Sequence, residues 1–210
     1  MNLDLLKELT EVTGVPSREE RVRSIVVREL TPLCDEVSVD ALGNVIGRKK
    51  GKGPRLMLAA HMDEIGFLVN HIEDEGFLRI DPVGGFDPKT LVAQRVTVHT
   101  DSGDLPGIIG CKPVHIMTDE EKKKPVELAS LFIDVGLPGA KVKEKVHLGD
   151  FVTLEQDFKE VGELVCCKAM DDRVGVFVMI EALRKLKRHK ADIYAVATVQ
   201  EEVGLRGHRR

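Results

Sequence analysis

The spacing of apolar residues predicts two helices and a hairpin at the start of the chain. The first helix is predicted by apolar residues at helical spacing, namely Leu5, Leu6, Leu9 and Val12. A second helix should begin near Ser17, which forms a capping-box pattern with Glu20. Alternating apolar residues between positions 37 and 46 then predict two short antiparallel strands. The chain therefore opens with helices followed by a sheet.

Continuous apolar runs predict strands that are buried on both faces. Leu56–Ala60 is one such run, and Leu164–Cys167 is another. A long helix is predicted next, because acidic residues at 171–172 precede an apolar stretch that ends in basic residues at 184–188. Ile193–Val199 is the last predicted strand. Helices and strands in this order indicate an α/β fold, which we expect to be a three-layer α/β/α domain that is incomplete at its C-terminus.

The middle of the chain has a different pattern. Residues 67–159 contain short β-like runs separated by Gly and Pro, which is typical of a small barrel or sandwich. We therefore expect two domains. A discontinuous α/β domain should comprise residues 1–66 and 160–210, and residues 67–159 should form an inserted β-rich domain.

Composition and charge exclude several classes of protein. The 210 residues carry a formal net charge of -4, and their basic clusters lie in turns, so a nucleic-acid partner is not expected. No apolar run approaches the length of a membrane span, and no membrane partner is expected. The four cysteines lack CxxC spacing. We expect reduced thiols and a cytoplasmic location.

Potential metal ligands follow three of the predicted strands. His61 and Asp63 follow the first buried run, Asp171 follows the second, and Glu201 with Glu202 follows the last strand. Each residue alone has an ordinary structural explanation, such as a helix cap or a solvated carboxylate. Together, however, one imidazole and several carboxylates form a ligand set for Zn²⁺ or a similar ion. Asp63 could orient His61, while one glutamate binds metal and its neighbour acts as general base.

Three motifs closely resemble the tetrahedral metallo-aminopeptidases, a family that includes glutamyl and deblocking aminopeptidases and in which some members carry a cellulase-homologue label. The matching stretches, in order, are His61–Gly66, Met170–Gly175 and Val199–Gly207. The resemblance extends from the first helix to Gly207. It implies that the β-rich insertion is a dimerisation domain and that the protein forms dimer-based homo-oligomers, dodecamers in the family.

The resemblance also implies a role for each site residue. His61 would bind one metal ion, Asp171 would bridge two, and Glu202 would bind the second. Glu201 would be the general base, and Asp63 would steady His61. Zn²⁺ or Co²⁺ would be the two ions. The substrate would be a peptide with a free N-terminus, from which one residue is removed at a time.

The family continues beyond the glutamate motif and there supplies a further Asp and a further His to the metals. Neither is encoded within these 210 residues, and we interpret His208 as a terminal remnant rather than a replacement ligand. We therefore expect a truncated member that binds divalent metal weakly and hydrolyses aminoacyl amides slowly.

Two alternative functions remain open. A glycoside hydrolase could use two carboxylates, but the chain has no Trp and one Tyr to line a sugar-binding cleft. Alternatively, the chain could be catalytically inactive and act only in assembly through its inserted domain.

Overall fold

The chain divides into two compact units. A computed structural model describes residues 2–208, with the side chain of His208 and all of residues 209–210 outside the description. The first unit, which we call the discontinuous unit, is Met1–Glu64 with Asp157–Arg210. The second, which we call the barrel unit, is Ile65–Gln156.

The discontinuous unit contains most of the helical residues. The α-helices of the described chain are α1 (Leu3–Glu11), α2 (Glu20–Leu30), α3 (Gly139–Lys145) and α4 (Met170–Lys185). The strands are β1 (Glu36–Val39), β2 (Val45–Lys49), β3 (Arg55–His61), β4 (Gly66–Ile72), β5 (Leu78–Val83), β6 (Arg95–Thr100), β7 (Gly103–Gly110), β8 (Phe132–Asp134), β9 (Phe151–Leu154), β10 (Lys159–Val161), β11 (Leu164–Cys166) and β12 (Asp192–Thr198).

A mixed sheet forms the centre of the discontinuous unit. Its strand order is β1-β2-β12-β3, in which β2 is antiparallel to β1 and β12, whereas β12 and β3 run parallel. Ala195 and Ala197 of β12 belong to the same buried cluster as apolar residues of α1, α2 and α4. These helices therefore cover one face of the sheet. The parallel pair places His61 opposite Thr198, so the carboxyl ends of β3 and β12 coincide.

Two strands predicted to be buried on both faces are partly exposed. In β3, Ala60 is buried but Met57 is 67% exposed, because Met57 lies on the sheet face opposite the helical layer. The prediction for Leu164–Cys167 was also wrong. β11 pairs with β10 in a two-stranded hairpin outside the main sheet, and Leu164 is 74% exposed. An apolar run alone does not reveal which faces its neighbours cover.

The predicted capping box at the start of α2 does not form. The helix begins at Glu20, and its N-cap position is Glu19. Ser17 has a left-handed backbone conformation with φ +70°, and its N–H donates to Glu19 Oε1 at 3.0 Å. At this turn the side-chain acceptor of a backbone N–H is therefore Glu19 and not Ser17.

Two adjacent aspartates at the start of α4 make different contacts. Asp171 and Asp172 have non-helical backbone angles, and Asp172 Oδ1 accepts the N–H of Gly175 at 3.0 Å. Asp172 thus satisfies a free N–H of the first turn, which is the usual role of a capping carboxylate. The apolar face of the helix is buried through Val176, Phe177, Met179, Ile180 and Leu183.

The barrel unit is a closed six-stranded barrel. Its strand order is β4-β5-β8-β7-β6-β9, and its buried residues form a second apolar cluster around Phe67, Val98 and Ile133. The mixed α/β class with a barrel-like β-rich segment is therefore confirmed. Among residues 2–208, no helix is long and apolar enough to cross a membrane.

Two substitutions in α4 test its orientation. Ile180 is buried, whereas Val178 on the same helix is 57% exposed. Ile180→Ala should lower the free energy of unfolding by about 2–5 kcal/mol because it leaves a cavity. Val178→Ala should leave it unchanged or raise it by up to about 0.5 kcal/mol, since Ala favours helix. Urea titrations followed by circular dichroism at the helical band measure both values. Equal losses would show that the helix faces the sheet differently.

Candidate functional site

The parallel pairing of β3 and β12 brings the ends of two strands to one place. His61 is the last residue of β3, and the N–H of Met62 donates to the carbonyl of Thr198, the last residue of β12, at 2.7 Å. The segments that leave the two strands therefore start side by side. In α/β sheets, ligands commonly bind outside such carboxyl ends.

His61 lies among carboxylates. Its Nε2 is 3.2 Å from Asp171 Oδ1 and 3.7 Å from Glu201 Oε2, and its side chain is nearly buried. Burial by itself would lower the pKa of His61, but the carboxylates of Asp63, Glu201 and Asp171 outweigh it and raise the pKa to about 9. The carboxylates around His61 therefore favour either a protonated imidazole or a cation bound next to the ring.

Asp63 joins the two strand ends. Its fully buried carboxylate accepts the backbone N–H of Glu201 on Oδ1 and that of Glu202 on Oδ2, both at 3.0 Å. Burial opposes ionisation, but His61 and these two N–H groups together lower the pKa of Asp63. His61 Nδ1 lies 3.1 Å from the backbone oxygen of Asp63 and 3.6 Å from Oδ1. Asp63 thus contacts the imidazole mainly through its carbonyl, while its carboxylate fixes the glutamate backbone.

The donor atoms of three predicted site residues converge. One ligand atom each from His61, Glu201 and Glu202 can be chosen so that all lie within 4.8 Å of one another. The pKa of Glu202 is raised by burial and by the negative charges of Glu201, Asp63 and Asp171, although His61 lowers it. One imidazole nitrogen and carboxylate oxygens at this separation fit a divalent cation such as Zn²⁺, which would relieve the repulsion among the carboxylates.

Asp171 is adjacent to this group but more exposed. Its Oδ1 lies within hydrogen-bonding distance of His61 Nε2, and the side chain is 89% exposed. The backbone of Asp171 precedes the regular turns of α4, while Asp172 binds the helix N-terminus. The structure therefore brings Asp171 to the imidazole but not into the group of three mutually close donors. Its predicted bridging role stays a prediction.

A buried ionic cluster lies behind the site. Arg173 is fully buried and donates to the carbonyls of Met62 at 2.7 Å, Leu9 at 2.8 Å and Val12. Glu64 contacts Arg173 at 3.5 Å, and Lys168 donates to both of its carboxylate oxygens at 2.8 Å.

This cluster fixes the segment that carries His61 and Asp63. Glu64 also accepts the N–H of Gly14 at 2.9 Å, so the cluster connects the end of β3 with the loop after α1 and with the start of α4. The sequence pattern predicts no role for Arg173, Glu64 or Lys168. Each lies inside or next to one of the three motifs, which was the available signal, but nothing local indicates that a charged side chain is buried.

Comparison with known proteins identifies the chain's relatives. Residues 43–210 match a family model described as M42 glutamyl aminopeptidase. The chain is 40% identical, over 98% of its own length, to the lysyl aminopeptidase of Pyrococcus furiosus. Among solved structures, it is similar to a TET aminopeptidase from a marine sediment archaeon of the Thaumarchaeota, with a TM-score of 0.94, 41% identity and 98% of this chain covered.

A further similar structure is the Pyrococcus horikoshii TET1 peptidase, which can assemble into a tetrahedron or a large octahedral shell. The TM-score is 0.86 and the identity 38%, over 98% of this chain. The chain spans only 61% of the lysyl aminopeptidase, 60% of the Thaumarchaeota chain and 63% of the Pyrococcus horikoshii chain. It thus matches about three fifths of these longer proteins.

The buried guanidinium gives a sharp stability prediction. Arg173→Met removes the donor to several buried carbonyls and one charge of the ionic cluster, so it should lower the free energy of unfolding by about 3–5 kcal/mol. Arg184→Met is the matched control on the same helix. Arg184 contacts Glu29 and Glu181 near the surface, and its loss should cost less than about 1 kcal/mol. Chemical denaturation of the three chains compares them, and equal effects would rule out a structural role for the cluster.

Proposed function

We propose, since the chain belongs to the M42 glutamyl aminopeptidase family, that it contributes to a metal-dependent aminopeptidase site. The observation that carries this proposal is the convergence of donor atoms from His61, Glu201 and Glu202 where two parallel strands end. The chemistry of peptide hydrolysis agrees with this proposal. The reaction needs a Lewis acid that polarises the scissile carbonyl and a base that accepts a proton from the attacking water.

His61, Asp171 and Glu202 are the proposed metal-binding residues. In this proposal His61 would hold one ion, Glu202 would hold a second and Asp171 would be shared by both, with Zn²⁺ or Co²⁺ as the ions. A bound divalent cation would polarise the scissile carbonyl and lower the pKa of water. The 3.2 Å contact between His61 and Asp171 supports a shared position for the first ion.

Glu201 is the proposed general base. Its carboxylate accepts a proton from the attacking water and returns that proton to the leaving amine. Asp63 positions this base, because its carboxylate accepts the backbone N–H groups of Glu201 and Glu202. Consecutive residues point in different directions, so one glutamate can bind metal while the other remains free for proton transfer.

The proposed substrates are peptides with a free N-terminus. The similar enzyme from Pyrococcus furiosus is named for lysyl residues, and the family for glutamyl residues. We further propose a homo-oligomer built from dimers, as in a dodecamer, with the barrel unit as the dimerisation domain. Its support is that the similar Pyrococcus horikoshii peptidase can assemble into a tetrahedron or a large octahedral shell. We also propose a cytoplasmic location, which the cysteine spacing of the sequence supports because it favours reduced thiols.

Hydrolysis of an aminoacyl p-nitroanilide by this chain, with and without added Zn²⁺ or Co²⁺, tests the proposal. We expect weak metal binding and slow hydrolysis that a chelator abolishes. Glu201→Gln should reduce the rate by about 100-fold or more, because it removes the base, while leaving metal affinity within a few-fold. His61→Ala should weaken metal binding itself.

Two controls define the result. Glu155→Gln, an exposed position in the barrel unit, should leave rate and affinity unchanged. An N-acetylated substrate should remain intact if a free amino group is required. Neither metal binding nor hydrolysis, together with a stable oligomer, would instead favour a role in assembly only. Hydrolysis of a soluble β-glucan would favour the glycosidase alternative.

A further inference from the structure

Four consecutive backbone N–H groups after β12 are held by side chains instead of by another strand. They belong to residues 199–202, and each donates to a carboxylate or amide oxygen from a distant part of the discontinuous unit. Val199 donates to Asn44 Oδ1 at 2.9 Å, and Gln200 donates to Glu19 Oε1 at 3.1 Å. The next two, Glu201 and Glu202, donate to Asp63. The segment that presents the glutamates is therefore fixed one residue at a time.

Gln200 is the residue at which this segment changes direction. Its φ of +55° lies in the left-handed region, which costs a non-glycine residue about 1–3 kcal/mol unless the surroundings fix it. Glu19 accepts the N–H of Gln200, and the backbone N–H of Arg206 donates to the carbonyl of Gln200 at 3.1 Å. The conformation of Gln200 determines where Glu201 and Glu202 point, since they follow it directly.

Glu19 is suited to this task by its burial. It is only 2% exposed, and the same Oε1 that accepts from Gln200 also accepts the N–H of Ser17. A carboxylate removed from water costs free energy unless it is hydrogen-bonded. Burial raises the pKa of Glu19, and the two N–H groups counteract this. Both contacts use an oxygen as acceptor, so a neutral amide with the same shape could make them.

We propose that Glu19 is a positioning residue for the metal site: by binding the N–H of Gln200, it holds Glu201 and Glu202 in the orientation that receives a cation. The effect on the metal rests on the proposed function, whereas the effect on the backbone does not. Glu19 contacts neither substrate nor metal in this scheme. It acts through the backbone, as second-layer residues do in metal sites, where their loss typically weakens affinity by about 10–100-fold.

Two substitutions at position 19 and one control separate positioning from general stability. Glu19→Ala removes the acceptor, while Glu19→Gln retains an oxygen. Val22→Ala is the matched control, because Val22 is a fully buried residue in the first turn of the same helix but is apolar and cannot accept an N–H. Zn²⁺ affinity is measured by calorimetry at a temperature at which all four chains are folded. Amide hydrogen exchange at residues 199–202 is measured without metal.

Glu19→Ala should weaken Zn²⁺ binding by about 10-fold or more and accelerate exchange at Gln200 and Glu201. Glu19→Gln should remain within about threefold of the parent in both measurements. Val22→Ala should lower the melting temperature but change neither. Parental affinity and exchange in Glu19→Ala, or equal losses in Val22→Ala, would overturn the proposal. If the parent bound no Zn²⁺, the proposed function would fail, and exchange at these amides would then decide whether Glu19 fixes the backbone.

Discussion

The carboxylate of Asp63 is the interaction on which the site depends. It is fully buried at the end of β3, and its two oxygens receive the N–H groups of Glu201 and Glu202 beyond the end of β12. Strand pairing aligns the two ends but stops at Thr198. Asp63 links the two chain segments beyond the ends of the strands, and this link places both glutamates near His61. The potential ligands therefore converge beyond the carboxyl ends of β3 and β12 because one carboxylate fixes the backbone there.

Burying so much negative charge requires compensation. Asp63, Glu19 and Glu64 are all buried, and each is balanced differently: Asp63 by backbone N–H groups and His61, Glu19 by backbone N–H groups, and Glu64 by Lys168 and Arg173. Because these carboxylates already have partners, the remaining ones at the site surface can serve a cation. The raised pKa of His61 reflects the negative charge there, whereas the pKa of Glu202 is raised first by burial and then by the neighbouring carboxylates.

Sequence patterns predicted several helices and strands and the candidate ligands, because both depend on residues that are close together in the sequence. Period and turn residues indicate α1, the β1–β2 hairpin and β12, and the three motifs stand directly after strands or at the start of a helix. Burial of charge could not be predicted. Ser17 and Glu20 have the spacing of a capping box, yet Glu19 turns inward because its partner is the N–H of Gln200, far away in sequence. The exposure of Met57 likewise depends on which sheet face the helices cover.

The most direct measurement is a crystal structure of the chain soaked with Zn²⁺, with the ion located by its anomalous scattering. We predict one peak about 2.0–2.2 Å from His61 Nε2 and a second peak about 2.0–2.2 Å from a carboxylate oxygen of Glu202, with Glu201 adjacent and Asp63 still accepting both backbone N–H groups. A peak at the thiols of Cys166 and Cys167, with none near His61, would contradict the assignment of this strand junction as the metal site.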